Sequence, residues 1–344
     1  MRVALWRRTL RLAEPLRASY GPVSTRELLI LELTDAEGRT GRGEAAPLPA
    51  YDGVSVAHVE RALQAYRGVL EDPGTRRGPQ LLEACRQIDD LPQALAAVDI
   101  ALWDLAGQRE GQPVASLLSD RPLREVAVNA TLGGGDRASA ASAAEAAVSR
   151  GFDCLKLKVG IGDDAGRVAA VRAAAGPHVA LRLDANGAWG VEQAVRSIEA
   201  LAPAGLELVE EPTHGLQAVR AVRERVAVRV AIDETASEAG ALGAGVADAV
   251  CLKISRCGGI GALVAAATLV RASGAEPYLA STFDGPIGIA AGVHAAAALA
   301  GHGPMPACGL ATLDLFADHF DVLPVREGRI AVPQAPGLGL PDWS

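Results

Sequence analysis

The chain has 344 residues, 49% of them hydrophobic and 22% charged, with a formal net charge of −8. It is long enough for one large α/β barrel or two ordinary domains, too apolar to be disordered, and without a broadly basic surface for nucleic acid or anionic membrane. Five scattered cysteines with no CxxC pair argue against a disulfide framework or a zinc knuckle, and no apolar run approaches the roughly 20 residues of a membrane span. Charges thread the N-terminal "MRVALWRRTLRLAEPLRASYG", which lacks the apolar core of a signal peptide, so the expected location is the cytoplasm.

In chain order, residues 1 to about 55 predict an antiparallel meander. Within "ELLILELTDAEGRTGRGEAA" lie one strand, a turn around Glu37 and Gly38, and a second strand. From 56 to about 110 the apolar positions of "SVAHVERALQAYRGVL" and "LPQALAAVDIALWDLAGQREG" recur at spacings of three and four, the mark of amphipathic helices. Strands followed by helices predict a separate α+β domain, placed at 1–124. Beyond it the short β-rich runs "VAVNAT", "CLKLKV", "VALRLD", "LELVE", "VRVAID", "AVCLK", "EPYLAS" and "ACGL" alternate with Ala-rich, Arg/Glu-dotted stretches that end in Gly or Pro. Strand then helix, about eight times over, predicts a closed parallel barrel at 125–312. The tail, 313–344, contains "FDVLPVREGRIAVP" and is expected to pack back on the first domain as strands.

Active sites of such barrels form at the C-terminal ends of the strands. Those ends are Thr131, Lys158, Asp184, Glu210, Asp233, Lys253, Ser281 and Gly309. The third, fourth and fifth are carboxylates, and neighbouring strands lie about 5 Å apart, so three negative charges converge where a divalent cation would relieve their repulsion. All-oxygen ligands suit Mg²⁺ or Mn²⁺ rather than zinc. Lys158 and Lys253, on strands two and six of eight, face each other across the mouth. Strict alternation in "CLKLKV" puts Lys156 on the same side as Lys158, where a like charge lowers its neighbour's pKa and supplies a base near neutral pH. A lone strand-end acid also serves as a helix N-cap, and Asp184, before "ANGAWG", is open to that role.

"KLK" on the second strand, "DANGAW" after the third, "EEP" after the fourth, "DET" after the fifth and "LKISRCGG" on the sixth resemble the muconate-lactonizing-enzyme subgroup of the enolase superfamily. The resemblance implies a (β/α)₇β barrel, an N-terminal α+β capping domain completed by the C-terminal tail, and Mg²⁺ held by Asp184, Glu210 and Asp233. It implies acid/base roles for Lys158 and Lys253, with Glu211 and Glu234 behind the ligands and Asn186 near the bound carboxylate. The substrate would be a small carboxylate that loses its α-proton, and many such proteins are homo-oligomers.

The seventh strand ends "LASTFDG" without the histidine of the mandelate-racemase and sugar-acid-dehydratase branches. "GLATLDLF" offers only Asp314 where dipeptide epimerases carry an acid pair. "GEAAPLPAY", "STFDGPIGIAAGVHAAAAL" and "ACGLATLDLF" look like the o-succinylbenzoate synthases of the menaquinone pathway. That implies a hydro-lyase reaction, with racemisation of N-acylamino acids, dipeptide epimerisation and cycloisomerisation as the alternatives. Substrate contacts are expected from Ser281, Thr282 and Asp284 and from the capping loops, with Arg17 and Tyr20 as candidates.

Overall fold

The computed structural model describes residues 1–18, 21–133 and 135–341, and side chains of these outside 16–22. Strands β1 (Arg2–Ala18), β2 (Gly21–Thr34) and β3 (Thr40–Ala45) form an antiparallel sheet in that order. The β2–β3 turn lies where the sequence places it, with Gly38 in the left-handed region at φ 83. Five helices follow: α1 (Pro49–Asp52), α2 (Val56–Glu71), α3 (Gly78–Ile88), α4 (Pro92–Glu110) and α5 (Val114–Leu118).

Strand β2 is buried on both faces, and its period-2 alternation divides "LLILEL" between two cores. Leu29, Leu31 and Leu33 pack with Val59, Leu63 and Val98 of the helices, whereas Leu28 and Ile30 join the core shared with the barrel. The sheet is therefore the layer through which the capping helices are fixed to the barrel. Gly41 and Gly43 of β3 bring the α4 backbone so close that a Cβ at Gly43 would fall on the Ala97 carbonyl.

Strand β4 (Glu125–Ala127) precedes seven parallel strands: β5 (Ala130–Leu132), β6 (Cys154–Lys158), β7 (Ala180–Asp184), β8 (Leu206–Glu210), β9 (Val230–Ile232), β10 (Ala249–Leu252) and β11 (Glu276–Leu279). Cys308 and Gly309 close the barrel through parallel bridges to Val128 and Ala280. Outside lie α6 (Arg137–Ser149), α7 (Asp164–Ala175), α8 (Val191–Leu201), α9 (Leu216–Arg223), α10 (Ile254–Cys257), α11 (Ile260–Ala272) and α12 (Pro286–Ala300). The fifth unit departs from the rhythm: two short 3₁₀ turns, Glu234–Ser237 and Ala241–Gly243, replace its helix.

The tail touches the capping domain where Ala317 N–H donates to the Arg11 carbonyl and where Gly337 bridges Pro113. Its strands β12 (Val325–Arg326) and β13 (Arg329–Ala331) do not add to the capping sheet. β12 pairs with β13, and β13 pairs with β4, because Ile330, the one buried residue of β13, lands opposite buried Val126 at the base of the barrel. Among the described residues no helix is long and apolar enough to cross a membrane.

Candidate active site

Period-2 alternation along β6 and β7 aims Lys156, Lys158, Arg182 and Asp184 into the barrel, in register: Lys156 pairs with Arg182 and Lys158 with Asp184. Asp184 pairs onward with Glu210, and Asp233 directly follows β9. All three carboxylates are at most 3% exposed. The alternative role for Asp184 is not taken: α8 starts seven residues later, at Val191, with Gly190 as its cap.

Lysines surround the acids. Lys156 Nζ lies 2.9 Å from Asp184 Oδ2 and 2.8 Å from Glu210 Oε1, and Lys158 Nζ is 2.6 Å from Asp184 Oδ2. Lys253, the residue after β10, pairs with both oxygens of Asp233. Burial works against the Asp184 charge, but Lys156 and Lys158 hold its carboxyl below the usual range. Burial likewise opposes the Lys156 ammonium, which Asp184 and Glu210 nevertheless raise well above its ordinary value. Lys156 is thus a firmly charged strut between two acids. Burial leaves the Glu210 carboxyl raised despite Lys156.

The acids that follow Glu210 and Asp233 stand behind them. Glu211, in the left-handed region at φ 41, accepts from the Asp233 and Thr235 amides at 2.8 and 3.0 Å, and so fixes the backbone that carries Asp233. His214 Nδ1 is 2.9 Å from the same carboxyl. Asn186 bridges Lys158 and Glu234: its Oδ1 accepts from Lys158 Nζ at 2.6 Å and its Nδ2 donates to Glu234 Oε1 at 3.0 Å. Burial first, then Asp233, pushes the Glu234 carboxyl up to about 8.

A cavity opens over these residues, walled by Lys158 and Asn186 on one side and Lys253 on the other, with Asn129, Thr131, Ser281, Thr282, Phe283, Gly309 and Thr312 completing the ring. Ser281 and Thr312 hydroxyls lie 2.8 Å apart. Asp284, expected among the substrate contacts, is not on this wall. It is 2% exposed and accepts from Thr282 Oγ1 at 2.8 Å behind the wall. Tyr20 and the side chain of Arg17 lie outside the described residues.

Four further residues reach the site. Tyr51 of α1 donates to Asp233 Oδ1 at 2.8 Å, and Arg256 of α10 donates to its hydroxyl at 2.6 Å. Tyr278 of β11 donates to Glu210 Oε2 at 2.7 Å, under the Arg182 guanidinium, which stacks 5.1 Å from the Tyr278 ring and pairs with Glu207. Arg182 carried a legible signal, since it stands two before Asp184 as Lys156 stands two before Lys158. Tyr51 ends the "GEAAPLPAY" of the capping domain, but nothing in that motif ties it to Asp233.

For a divalent cation the donor set fits. Asp184, Glu210 and Asp233 present only oxygen from three adjacent strand ends, as a hard cation prefers. The buried Cys251 thiol lies close to Glu210 and Asp233, but a hard cation selects the carboxylate oxygens over sulfur.

A closed β/α barrel under an α+β cap, with acids on three neighbouring strand ends and lysines on either side, is the layout of barrel enzymes that take protons from carbon. Residues 1–119 match the family model of the mandelate racemase/muconate lactonizing enzyme N-terminal domain, and 138–341 match the enolase C-terminal domain-like model. The chain belongs to the enolase superfamily.

It is 31% identical over 299 residues, 84% of each chain, to a hydrophobic dipeptide epimerase of Enterococcus faecalis. It is 39% identical over 225 residues, 60% of this chain and 68% of the other, to an o-succinylbenzoate synthase of Thermobifida fusca. Among solved structures, the substrate-liganded L-Ala-D/L-Glu epimerase of Bacillus subtilis superposes with a TM-score of 0.89 at 29% identity, over 98% of both chains.

Proposed function

We propose that this chain uses Mg²⁺, held by Asp184, Glu210 and Asp233, to remove the α-proton of a carboxylate, and that the reaction is completed by loss of water to give o-succinylbenzoate. The observation that carries the choice is the wall of the cavity. Away from Asp184 and Asp233 the described residues that line it offer hydroxyls and two amides but no carboxylate to receive a substrate ammonium. Asp314, the one acid of "GLATLDLF", is half-exposed, pairs with Arg150 and lines a neighbouring cleft that meets the cavity at Thr131, not the cavity itself. A dipeptide's free ammonium would be left there without a counter-charge, which is costly in a desolvated pocket. The similarity to the Thermobifida synthase supports the same reading.

The cation supplies the positive charge that makes a proton beside an ionised carboxylate removable. Lys158 Nζ accepts that proton as the C–H bond breaks. It then returns it to the β-hydroxyl on the same face as the C–O bond breaks, so that the leaving group departs as water. Lys253 stays charged on the other face, held by Asp233, and its ammonium stabilises a flat, electron-rich intermediate. Asn186, fixed by Glu234, keeps Lys158 on the cavity side.

The test is the ultraviolet absorbance change when the cyclohexadiene carboxylate precursor of o-succinylbenzoate is added, with Mg²⁺ and with EDTA. Metal-dependent turnover that is lost in Lys158→Ala is expected; its absence from the wild type would end this assignment. A second reading, racemisation of N-acylated amino acids, is favoured by lysines on both walls of the cavity. It predicts α-proton exchange in D₂O from both enantiomers.

A further inference from the structure

Arg26, Glu44 and Asp284 form a buried charged cluster that the chemistry above does not use. Arg26 and Glu44 come from β2 and β3 of the cap, Asp284 from the turn before α12 of the barrel, and none is more than 3% exposed. The Arg26 guanidinium spans the seam. Nη1 donates to the Pro47 carbonyl at 2.7 Å and Nη2 to Ala46 at 3.0 Å, while Nε donates to Thr282 at 3.1 Å.

Glu44 Oε1 accepts from the Gly285 amide at 2.7 Å, and the Gly288 amide also donates to this carboxyl. Glu44 therefore caps the first turn of α12 from the other domain, where a carboxylate complements the helix N-terminus. Asp284 stands on the same side of that turn: a Cβ at Gly288 would lie 2.7 Å from Asp284 Cβ and 2.8 Å from Glu44 Oε1. Glu44 Oε2 is buried with no hydrogen-bond partner among the described residues. Between these groups and the cavity sits Phe283, in the left-handed region at φ 57, a costly conformation for an aromatic residue that persists only when its surroundings impose it.

We propose that Glu44 and Asp284 share a single proton, and that this pair, with Arg26, positions the Ser281–Phe283 wall of the substrate cavity from the capping domain. Two carboxylates facing one guanidinium in a site closed to water carry an unbalanced negative charge, and one proton removes it. Burial, then Asp284, pushes the Glu44 carboxyl up to about 8, and burial raises Asp284 as well. The charged groups facing the pair are Arg26 from β2 and, acting on Asp284, Lys253 after β10; the first turn of α12 offers only amides. Above that range the proton is lost and the two acids repel across the seam. The cap then loosens its hold on Thr282 and Phe283. These are positioning residues: the structure shows no contact from Glu44 or Asp284 to the cavity itself.

The test is amide hydrogen exchange at Phe283, Gly285 and Gly288 in the full chain, corrected for intrinsic rates, from about pH 6 to about pH 9.5. It reads the seam rather than turnover, so it is independent of which reaction the enzyme performs. Wild-type protection should fall by up to about tenfold per pH unit as pH rises towards the pair's titration, where only the opened seam lets Glu44 ionise freely, and level off above it. Glu44→Gln keeps the acceptor for both amides and removes the charge, so its protection should hold flat; Asp284→Asn should move the fall to lower pH or abolish it. Glu44→Ala should lose protection at every pH. A Glu44→Gln profile with the wild-type slope, or a wild-type profile that is flat, would overturn the proposal.

Discussion

Tyr51 and Lys253 meet across the domain boundary. The lysine Nζ donates to the Tyr51 hydroxyl at 2.8 Å and lies 4.7 Å from the centre of its ring, while that hydroxyl donates to Asp233. One capping-domain side chain thus holds both a proposed metal ligand and a proposed acid/base lysine. Tyr51→Phe keeps the ring and deletes the hydroxyl. Hydrogen bonds to charged groups contribute about 1.5–3 kcal/mol, so kcat/KM should fall by about 10- to 100-fold with the circular dichroism spectrum unchanged. Unaltered kinetics would show that the phenol is dispensable.

The two lysines should separate by isotope. A positioned general base contributes about 10²- to 10⁴-fold, so Lys158→Met should lose α-proton exchange in D₂O by that factor. If the reaction is a same-face elimination, Lys253→Met retains slow exchange of the same proton. If the enzyme racemises, each variant instead loses exchange from one enantiomer only.

Cation binding to the folded chain should raise its thermal midpoint. At a free Mg²⁺ concentration of about 100 times Kd the gain is about 2.7 kcal/mol. Glu210→Gln should remove most of that gain, and EDTA should reverse it in the wild type. A midpoint indifferent to Mg²⁺ would count against the three-acid ligand set.

His294 sets an acid limit on stability. It is fully buried on α12, accepts the Ala115 amide at Nδ1 and donates Nε2–H to the Leu338 carbonyl, both at 3.1 Å. Burial lowers its pKa to about 4, below the ordinary 6.5. A base whose folded pKa is depressed contributes stability that is complete above the unfolded value and lost as pH falls from about 6.5 to about 4. The loss should approach about 3 kcal/mol. Denaturant titrations across that range should show the slope, and His294→Gln should reduce it.

How far the sequence leads can be judged residue by residue. The strand-end acids and lysines were legible because one barrel unit recurs every 20 to 30 residues and alternation fixes which side chains face inward. Lys156 and Lys158 share a face as that alternation requires, although Lys156 proves to be a strut between Asp184 and Glu210 as well as a neighbour to Lys158. The pairing of Tyr51 with Asp233 was not legible, although Tyr51 lies in a capping loop expected over the mouth, since the two are 182 positions apart and no local period connects them. Asp284 was misplaced for a related reason: membership of the loop after the seventh strand does not say whether a side chain faces the cavity or the cap. The fifth unit's missing helix has only a weak local trace in the Gly-rich "EAGALGAGVAD".

The residue that closes the barrel has no side chain to contribute. Gly309 occupies the eighth strand's place in the ring, and a methyl group there would come within 3.0 Å of Ala280 Cβ and 3.6 Å of Asn129 Oδ1. Along that radius the width of the cavity is set by an omission. A single added carbon would crowd Ala280 and Asn129 on the cavity wall while leaving the acids and lysines untouched, so the space beside the eighth strand is separable from the machinery that breaks bonds.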